Sequence, residues 1–117
     1  FLTNPVVGIT GTNGKTTTTE LTGAVLRDAR LPVAVGGNIG NALAAMPGEI
    51  PPDATVVAEL SSFQLEHIER FRPAVAVLLN LAEDHLDRHG DMQDLLQHLL
   101  RFTALQQAPR RVKYLRR

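Results

Sequence analysis

Short apolar runs recur along this chain and are separated by segments rich in Gly, Pro and polar residues. The later runs are almost continuously apolar, as is typical of strands that are covered on both faces of a parallel sheet. Their length of four to eight residues favours strands over helices. Four strands are predicted, at residues 6–9, 31–35, 54–60 and 74–81.

Helical patterns lie between and after these runs. Leu21, Ala24, Val25 and Ala29 recur near helical spacing, and Pro32 ends the pattern. Helices are predicted at residues 16–29, at residues 42–46 and from residue 91 onward. Residues 63–71 are predicted to form a helical or irregular crossover between two strands. Strands that alternate with helices predict an α/β fold with a parallel sheet, flanking helices, and ligands at the carboxyl ends of the strands.

Composition removes several classes of protein. The 117 residues include no Cys, no run of 18 apolar residues and no basic start followed by a short apolar segment. A disulfide framework, a membrane span or a signal peptide is therefore not indicated, and a cytoplasmic location is expected. Six of the twelve Lys and Arg residues follow position 100, whereas the last acidic residue is Asp94. We interpret this basic tail as a solvated or truncated end, and expect no nucleic-acid partner.

A glycine-rich turn joins the first strand to the first helix. Residues 11–16 read Gly-Thr-Asn-Gly-Lys-Thr, a pattern that cradles phosphate through backbone N–H groups and the positive end of the helix. Lys15 can reach the outer phosphates, and the hydroxyl of Thr16 can bind Mg²⁺. Because Ile9 takes the place of the first glycine in the eight-residue motif, the shorter Gly-x-x-Gly-Lys-Thr loop describes it better. A capped surface helix with an ordinary lysine is the alternative.

Polar residues near two other strand ends are further candidates. Glu59 ends a strand and can coordinate Mg²⁺, although such a residue alone would more often be a solvated charge. Ser61 and Ser62 can bind substrate oxygens, cap the next helix, or both. A second glycine-rich turn, residues 36–40, suits either tight packing or a ligand, and its Asn38 offers a donor and an acceptor.

The next buried strand leads into a third candidate loop. Asn80 is followed by residues 83–89, which contain six ionisable side chains including His85 and His89. Such a cluster can bind a second metal ion or orient an anionic intermediate. The spacing of the two histidines also fits a simple metal site, but zinc would need further ligands.

Together these motifs resemble the central, ATP-binding domain of the Mur ligases, over residues 5–90. The loop at residues 11–16 marks the wider superfamily, which includes folylpolyglutamate synthetases. Residues 36–40, 59–66 and 80–89 resemble the members that add D-glutamate. Three motifs in the right order make the resemblance specific.

The resemblance implies an ATP-dependent amide ligase that joins D-glutamate to UDP-N-acetylmuramoyl-L-alanine through an acyl phosphate. It implies catalytic roles for Lys15, Glu59 and His85. The implied ligand sets are Gly11, Thr12, Asn13, Gly14, Lys15, Thr16, Thr17 and Asn80 for ATP, Thr16, Glu59 and His85 for Mg²⁺, and Asn38, Ser61 and His85 for the muramoyl substrate.

One departure from the family pattern is visible. The resembled enzymes carry a carbamylated lysine on the helix after the Asp-His segment, at a position that falls near Leu99, and the only lysines here are Lys15 and Lys113. We expect residues 1–117 to be the central domain of a monomeric ligase, without its UDP-binding and amino-acid-binding domains. A stand-alone P-loop ATP hydrolase and a non-catalytic nucleotide-binding module remain as alternatives.

Overall fold

The structure, a computed structural model, describes residues 4–37, 50–65, 73–81 and 113–114. These residues form five strands and two helices. In chain order they are β1 (Val6–Thr10), α1 (Lys15–Asp28), β2 (Val33–Gly37), β3 (Thr55–Glu59), α2 (Ser62–Leu65), β4 (Val75–Leu78) and β5 (Lys113–Tyr114). The predicted helices at 42–46 and beyond 91 lie outside the described residues, as does most of the predicted crossover at 63–71.

The five strands form one parallel sheet in the order β2-β3-β1-β4-β5. β1 lies at the centre, where Gly8 is in register with Ala58 of β3 on one side and Ala76 of β4 on the other. The predicted α/β class with a parallel sheet is confirmed. Because all strands run in one direction, the segments that follow β1, β3 and β4 lie together at the carboxyl ends of the strands.

The core lies along the middle strands. Val56, Val57 and Ala58 of β3 and Ala76 of β4 are fully buried, and Ile9 of β1 is nearly so. Consecutive buried residues in β3 mean that both faces of this strand are covered, which explains its continuous apolar sequence. The strand predicted at 54–60 is therefore confirmed, whereas β4 is shorter than the predicted 74–81.

Helix α1 follows the first strand as predicted and ends in a Schellman motif. The N–H of Leu31 donates to the carbonyl of Leu26 at 3.0 Å, and that of Arg30 donates to the carbonyl of Arg27 at 2.9 Å. Arg30 has φ 60°, the left-handed conformation that this motif requires after the helix and that glycine adopts most easily. This turn redirects the chain towards β2.

The face that α1 presents to the sheet is built from small residues. Thr19 and Gly23 are its buried residues, while Leu21 is 62% exposed and Val25 59% exposed. A Cβ atom at Gly23 would lie 2.5 Å from Cγ2 of Val35 in β2. Close approach of helix to sheet, rather than burial of the larger apolar side chains, therefore sets the rotation of this helix.

Strand β2 corrects the prediction for residues 31–40. The strand was predicted to end at residue 35 and to give way to a glycine-rich turn, but it continues through Gly36 and Gly37, which lie in register with Ala58 and Glu59. Gly37 has φ 136°, and a Cβ atom there would overlap the carbonyl oxygen of Glu59. The glycine permits tight contact with the next strand; the remainder of the predicted turn lies outside the described residues.

Part of the basic tail belongs to the sheet. Lys113 and Tyr114 pair in parallel with Val77 and Leu78, whereas we had interpreted the tail as a solvated or truncated end. A parallel partner more than thirty residues away along the chain leaves no local signal in two residues of sequence. No helix among the described segments is long and apolar enough to cross a membrane.

Candidate functional site

The carboxyl ends of β1, β3 and β4 bring three of the predicted motifs together. The N–H of Leu60 donates to the Ile9 carbonyl at 2.9 Å, and that of Leu79 donates to the Thr10 carbonyl at 3.0 Å. These bonds carry the parallel ladders beyond the strands and hold the following segments beside one another. An open pocket of about 270 Å³ lies here, lined by Thr12, Asn13, Gly14, Lys15, Thr16, Thr17 and Glu59.

The phosphate loop, residues 11–16, passes directly into α1. Gly14 is the N-cap residue, with φ 84° and ψ 5°, a left-handed conformation that glycine adopts without a steric penalty. No side chain among the described residues caps the helix, and its first hydrogen bond runs from the N–H of Thr18 to the carbonyl of Gly14. The positive end of the helix dipole therefore faces the pocket, an arrangement that suits an anion.

The ammonium group of Lys15 lies against the loop. It donates to the carbonyl oxygen of Gly11 at 2.8 Å and to that of Thr12 at 3.2 Å. Two of the three N–H donors of an ammonium group are thereby used, which holds the positive charge next to the loop. Lys15 also lines the pocket, so the cation that sequence analysis assigned to the phosphates lies at the site.

Glu59 is a nearly buried carboxylate, 3% exposed, at the end of β3. Both of its carboxylate oxygens lie 3.0 Å from Oγ1 of Thr16. A hydroxyl has one hydrogen, so it can fully satisfy only one of these oxygens at a time. Within the described part of the chain, Glu59 has no cationic partner, although a buried anion normally requires one.

This pair of side chains is suited to a hard cation. Mg²⁺ prefers oxygen ligands and is usually bound by one or two protein groups together with substrate phosphates. The Thr16 hydroxyl and the Glu59 carboxylate supply such oxygens at the wall of the pocket. Among the described residues, no group of three or more His, Cys, Asp or Glu side chains could hold a metal ion by itself.

Asn80, just after β4, contacts the phosphate loop. Its Oδ1 accepts hydrogen bonds from the N–H groups of Thr12 and Asn13, both at 2.9 Å, and its Nδ2 donates to the Asn13 carbonyl at 2.8 Å. The loop lies close to this strand end, since a Cβ atom at Gly11 would be 3.1 Å from Cβ of Leu79. The predicted contact of Asn80 with ATP stays a prediction.

Ser61 caps α2. The N–H of Gln64 donates to Oγ of Ser61 at 3.2 Å, and the N–H of Ser61 donates to Oε1 of Gln64 at 2.9 Å. This reciprocal capping box has a Ser-x-x-Gln signature, so the role of Gln64 could have been found from the sequence. Of the alternatives for Ser61 and Ser62, capping is confirmed for Ser61, and substrate binding stays a prediction.

Two predicted site residues are not placed. Asn38 and His85 lie outside the described residues, and so do His89 and Leu99. Their assignment to the muramoyl substrate and to a second Mg²⁺ stays a prediction. Of the two alternatives for the glycines at residues 36–40, tight packing is confirmed at Gly37, whose lack of a side chain lets β2 approach the main chain of Glu59.

Fold and site define a phosphate-loop α/β domain, in which a glycine-rich loop, a helix N-terminus and a strand-end carboxylate meet at one edge of a parallel sheet. The family model of the Mur ligase middle domain matches residues 9–112. The chain belongs to this family, which confirms the resemblance drawn from its motifs.

Curated relatives agree in name. The chain is 55% identical over 101 residues to a UDP-N-acetylmuramoylalanine–D-glutamate ligase of Geotalea daltonii, covering 86% of this chain and 22% of that protein. It is 53% identical over 108 residues to the ligase of the same name from Geobacter sp. strain M21, covering 92% of this chain and 24% of that protein. The chain thus spans about a quarter of the length of these relatives.

Solved structures of Mur ligases share the fold. A MurF ligase from Thermotoga maritima in complex with ADP matches with a TM-score of 0.74 at 24% identity, over 89% of this chain and 26% of that one. MurF from Acinetobacter baumannii matches with a TM-score of 0.61 at 27% identity, over 84% of this chain and 24% of that one.

Proposed function

We propose that this chain is the ATP-binding part of a ligase that joins D-glutamate to UDP-N-acetylmuramoyl-L-alanine. The observation that carries the proposal is the position of the Thr16 and Glu59 oxygens, 3.0 Å apart, beside a phosphate loop. Family membership and the shared name of the relatives support the choice of reaction. The ADP in a MurF structure of similar fold supports the choice of nucleotide.

The residues around the pocket have distinct roles in this proposal. Main-chain N–H groups from Gly14 into the first turn of α1 bind phosphate oxygens, and the glycines let the backbone approach them. Lys15 neutralises charge on the transferring phosphoryl group. The protein contributes position and electrostatic stabilisation, as in other phosphoryl transfers.

Mg²⁺ fits the donor set of this chain. Thr16 and Glu59 would hold it, because they supply hard oxygen atoms and because the nearly buried Glu59 carboxylate has no cationic partner among the described residues. When bound, the ion would neutralise negative charge on the phosphates of ATP.

The reaction proceeds in two steps. A carboxylate oxygen of UDP-N-acetylmuramoyl-L-alanine attacks the γ-phosphorus of ATP, and the bond from this phosphorus to the β,γ-bridging oxygen breaks to release ADP. The amine of D-glutamate then attacks the carbonyl carbon of the acyl phosphate, phosphate leaves, and the amine gives up a proton. ATP thereby converts a poor leaving group into a good one.

Other parts of the proposal rest on the resemblance alone. We assign His85 to a second Mg²⁺ near the acyl phosphate, and Asn38 and Ser61 to the muramoyl substrate. The chain would be the central domain of a longer, monomeric, cytoplasmic protein whose other domains bind the UDP group and D-glutamate. The share of the relatives that the chain spans supports this division.

ADP and phosphate release by the full-length protein tests the proposal. We expect sustained release only when ATP, the muramoyl-alanine acceptor and D-glutamate are all present. Lys15→Ala should lower this rate by roughly 10²–10³-fold without loss of the fold, because it removes the cation nearest the phosphates.

Three outcomes would contradict the proposal. Equal release of ADP and phosphate without the muramoyl-alanine acceptor and D-glutamate would identify a hydrolase. Binding of ATP with no release under any condition would identify a nucleotide-binding module. Unchanged activity in the Lys15→Ala variant would remove the phosphate loop from the mechanism.

A further inference from the structure

We infer that Asn80 is a positioning residue, which holds the phosphate loop in the conformation that binds nucleotide without itself being a phosphate ligand. The inference rests on the proposed function, since it concerns ATP bound at this loop. Asn80 lies on a different strand connection from the loop, 67 residues further along the chain than Asn13. It therefore couples the end of β4 to the start of α1.

The contacts of Asn80 match both polar groups of one loop residue. Oδ1 accepts from the N–H of Asn13 at 2.9 Å, while Nδ2 donates to the carbonyl of the same residue at 2.8 Å. The same Oδ1 also accepts from the N–H of Thr12 at 2.9 Å. Only a side-chain amide presents an acceptor and a donor side by side in this way.

Because of these contacts, the N–H groups of the loop fall into two sets with different hydrogen-bond partners. Those of Thr12 and Asn13 are bound to Asn80, so the donors that face phosphate are those from Gly14 into α1. Asn80 thus determines which part of the loop meets the nucleotide. All three of these side-chain hydrogen bonds go to the loop, so they support a role of Asn80 in fixing the loop rather than in binding phosphate.

The loop needs such an anchor because glycines flank the anchored residues. Gly11 has φ 151° and Gly14 has φ 84°, backbone conformations that an L-residue rarely adopts and that glycine leaves and enters easily. Without the Asn80 amide, residues 12 and 13 would sample other conformations, and ATP would have to order them on binding. The expected consequence is weaker nucleotide binding.

The test compares Asn80→Ala and Asn80→Asp with the parent full-length protein. Asn80→Ala should weaken ATP binding roughly tenfold or more, measured as Kd by calorimetry, because three hydrogen bonds to the loop are lost. Asn80→Asp should weaken it at least as much, since a carboxylate has no donor for the Asn13 carbonyl and adds negative charge beside the phosphates. KM for ATP should rise more than kcat falls.

Amide hydrogen exchange in the nucleotide-free protein provides the second measurement. In the parent, the amide of Asn13 should be protected, and in Asn80→Ala it should exchange roughly as fast as exposed amides while those of β1 and β3 stay protected. The amide of Thr12 should respond less, because it also donates to the main-chain carbonyl of residue 80 at 3.3 Å, which the variant keeps. A purely structural role of Asn80 would instead increase exchange throughout the sheet. This measurement needs no ligand, so it separates loop ordering from nucleotide binding.

Asn4→Ala is the matched control. The Asn4 amide also holds a turn, donating to the carbonyls of Pro51 and Ala54 at 2.9 Å. This turn lies at the amino ends of the strands, away from the phosphate loop. This variant should unfold at a lower temperature yet keep the Kd for ATP within about twofold of the parent.

The outcomes separate the inference from the function on which it rests. A Kd in Asn80→Ala within about twofold of the parent, or a protected Asn13 amide in that variant, would overturn the inference. A parent protein that does not bind ATP would overturn the proposed function, and the inferred nucleotide-positioning role with it.

Discussion

Glu59 is the residue at which stability and function oppose each other. Glu59 is 3% exposed, and among the described residues its carboxylate forms hydrogen bonds only with a neutral hydroxyl, that of Thr16. Burial of an anion without a cation costs free energy of folding, so the residue is a poor choice for stability alone. The cost is understandable if the partner of Glu59 is a bound cation.

Glu59→Gln tests this opposition in the full-length protein. The variant keeps the shape and an oxygen that can accept from Thr16, but loses the charge. We expect the Mg²⁺ concentration for half-maximal activity to rise and kcat/KM to fall roughly 10²-fold or more. The free energy of unfolding without Mg²⁺ and nucleotide should stay equal or increase by up to about 1 kcal/mol.

Glu20→Gln is the control for the Glu59 variant. Glu20 is exposed on α1, so its substitution should change neither the Mg²⁺ dependence nor the urea midpoint. Full activity in Glu59→Gln at limiting Mg²⁺ would remove Glu59 from the metal site, and a strong loss of stability would show that its charge has a partner after all.

At the scale of residues, the sequence predicted those site residues whose chemical role is indicated by their type and their position in a motif. The Gly-x-x-Gly-Lys-Thr pattern and the strand-end position of Glu59 predicted two groups that the structure brings together. The use of the Asn80 amide on the loop was not predicted, because a contact across 67 residues depends on which strands become neighbours. The predicted roles of Asn38 and His85 stay predictions.

At the scale of elements, Gly23 determines how α1 packs on the sheet. Glycine inside a helix normally lowers stability by about 1 kcal/mol relative to alanine. Here a Cβ atom would lie only 2.5 Å from Cγ2 of Val35, so the missing side chain provides the space for β2. The two residues form a matched contact between helix and strand.

Gly23→Ala should therefore destabilise the protein, by about 1–3 kcal/mol, because overpacking exceeds the gain in helix propensity. Adding Val35→Ala should recover part of this loss, and the double variant should be more stable than the sum of the two single changes by at least about 1 kcal/mol. Urea unfolding of the four proteins measures this coupling. A stabilising Gly23→Ala change, or simple additivity, would show that the helix can shift at no cost.

Local patterns predicted the presence of most described elements better than their packing. Apolar runs located β1, β3 and β4, and Pro32 located the end of α1. The exposure of Leu21 and Val25 could not be predicted, since the close approach at Gly23 determines the face that α1 buries. Gly36 and Gly37 read as a turn because glycine is rare inside strands, although the contact with Glu59 requires it at position 37.

At the scale of the whole molecule, the parallel topology of the sheet brings the residues of the site together. Strand order β2-β3-β1-β4-β5 places the ends of β3 and β4 on either side of β1, so the phosphate loop is flanked by Glu59 and Asn80. The described lining of the resulting pocket consists of polar residues and glycine, and none of these described residues is aromatic or apolar. These groups suit phosphates and a cation but offer no surface for stacking a base.

With this described lining, we expect the 117-residue chain alone to bind the phosphates of a nucleotide with little regard for its base. We expect its Kd values for MgATP and MgGTP to agree within about twofold, because small-molecule sites gain selectivity from groups that surround the ligand. The full-length protein should prefer ATP by roughly tenfold or more, through residues beyond this pocket lining. Titration calorimetry measures both, with circular dichroism to establish that the isolated chain is folded.

Inorganic triphosphate provides the control for this comparison. It should compete with MgATP for the isolated chain about as well as GTP does, because the pocket contacts are confined to phosphate-binding groups. A preference for ATP of roughly tenfold in the isolated chain would mean that its own residues read the base. Those residues would then have to lie outside the lining at residues 12–17 and Glu59, and substitution of polar residues elsewhere in the chain would locate them.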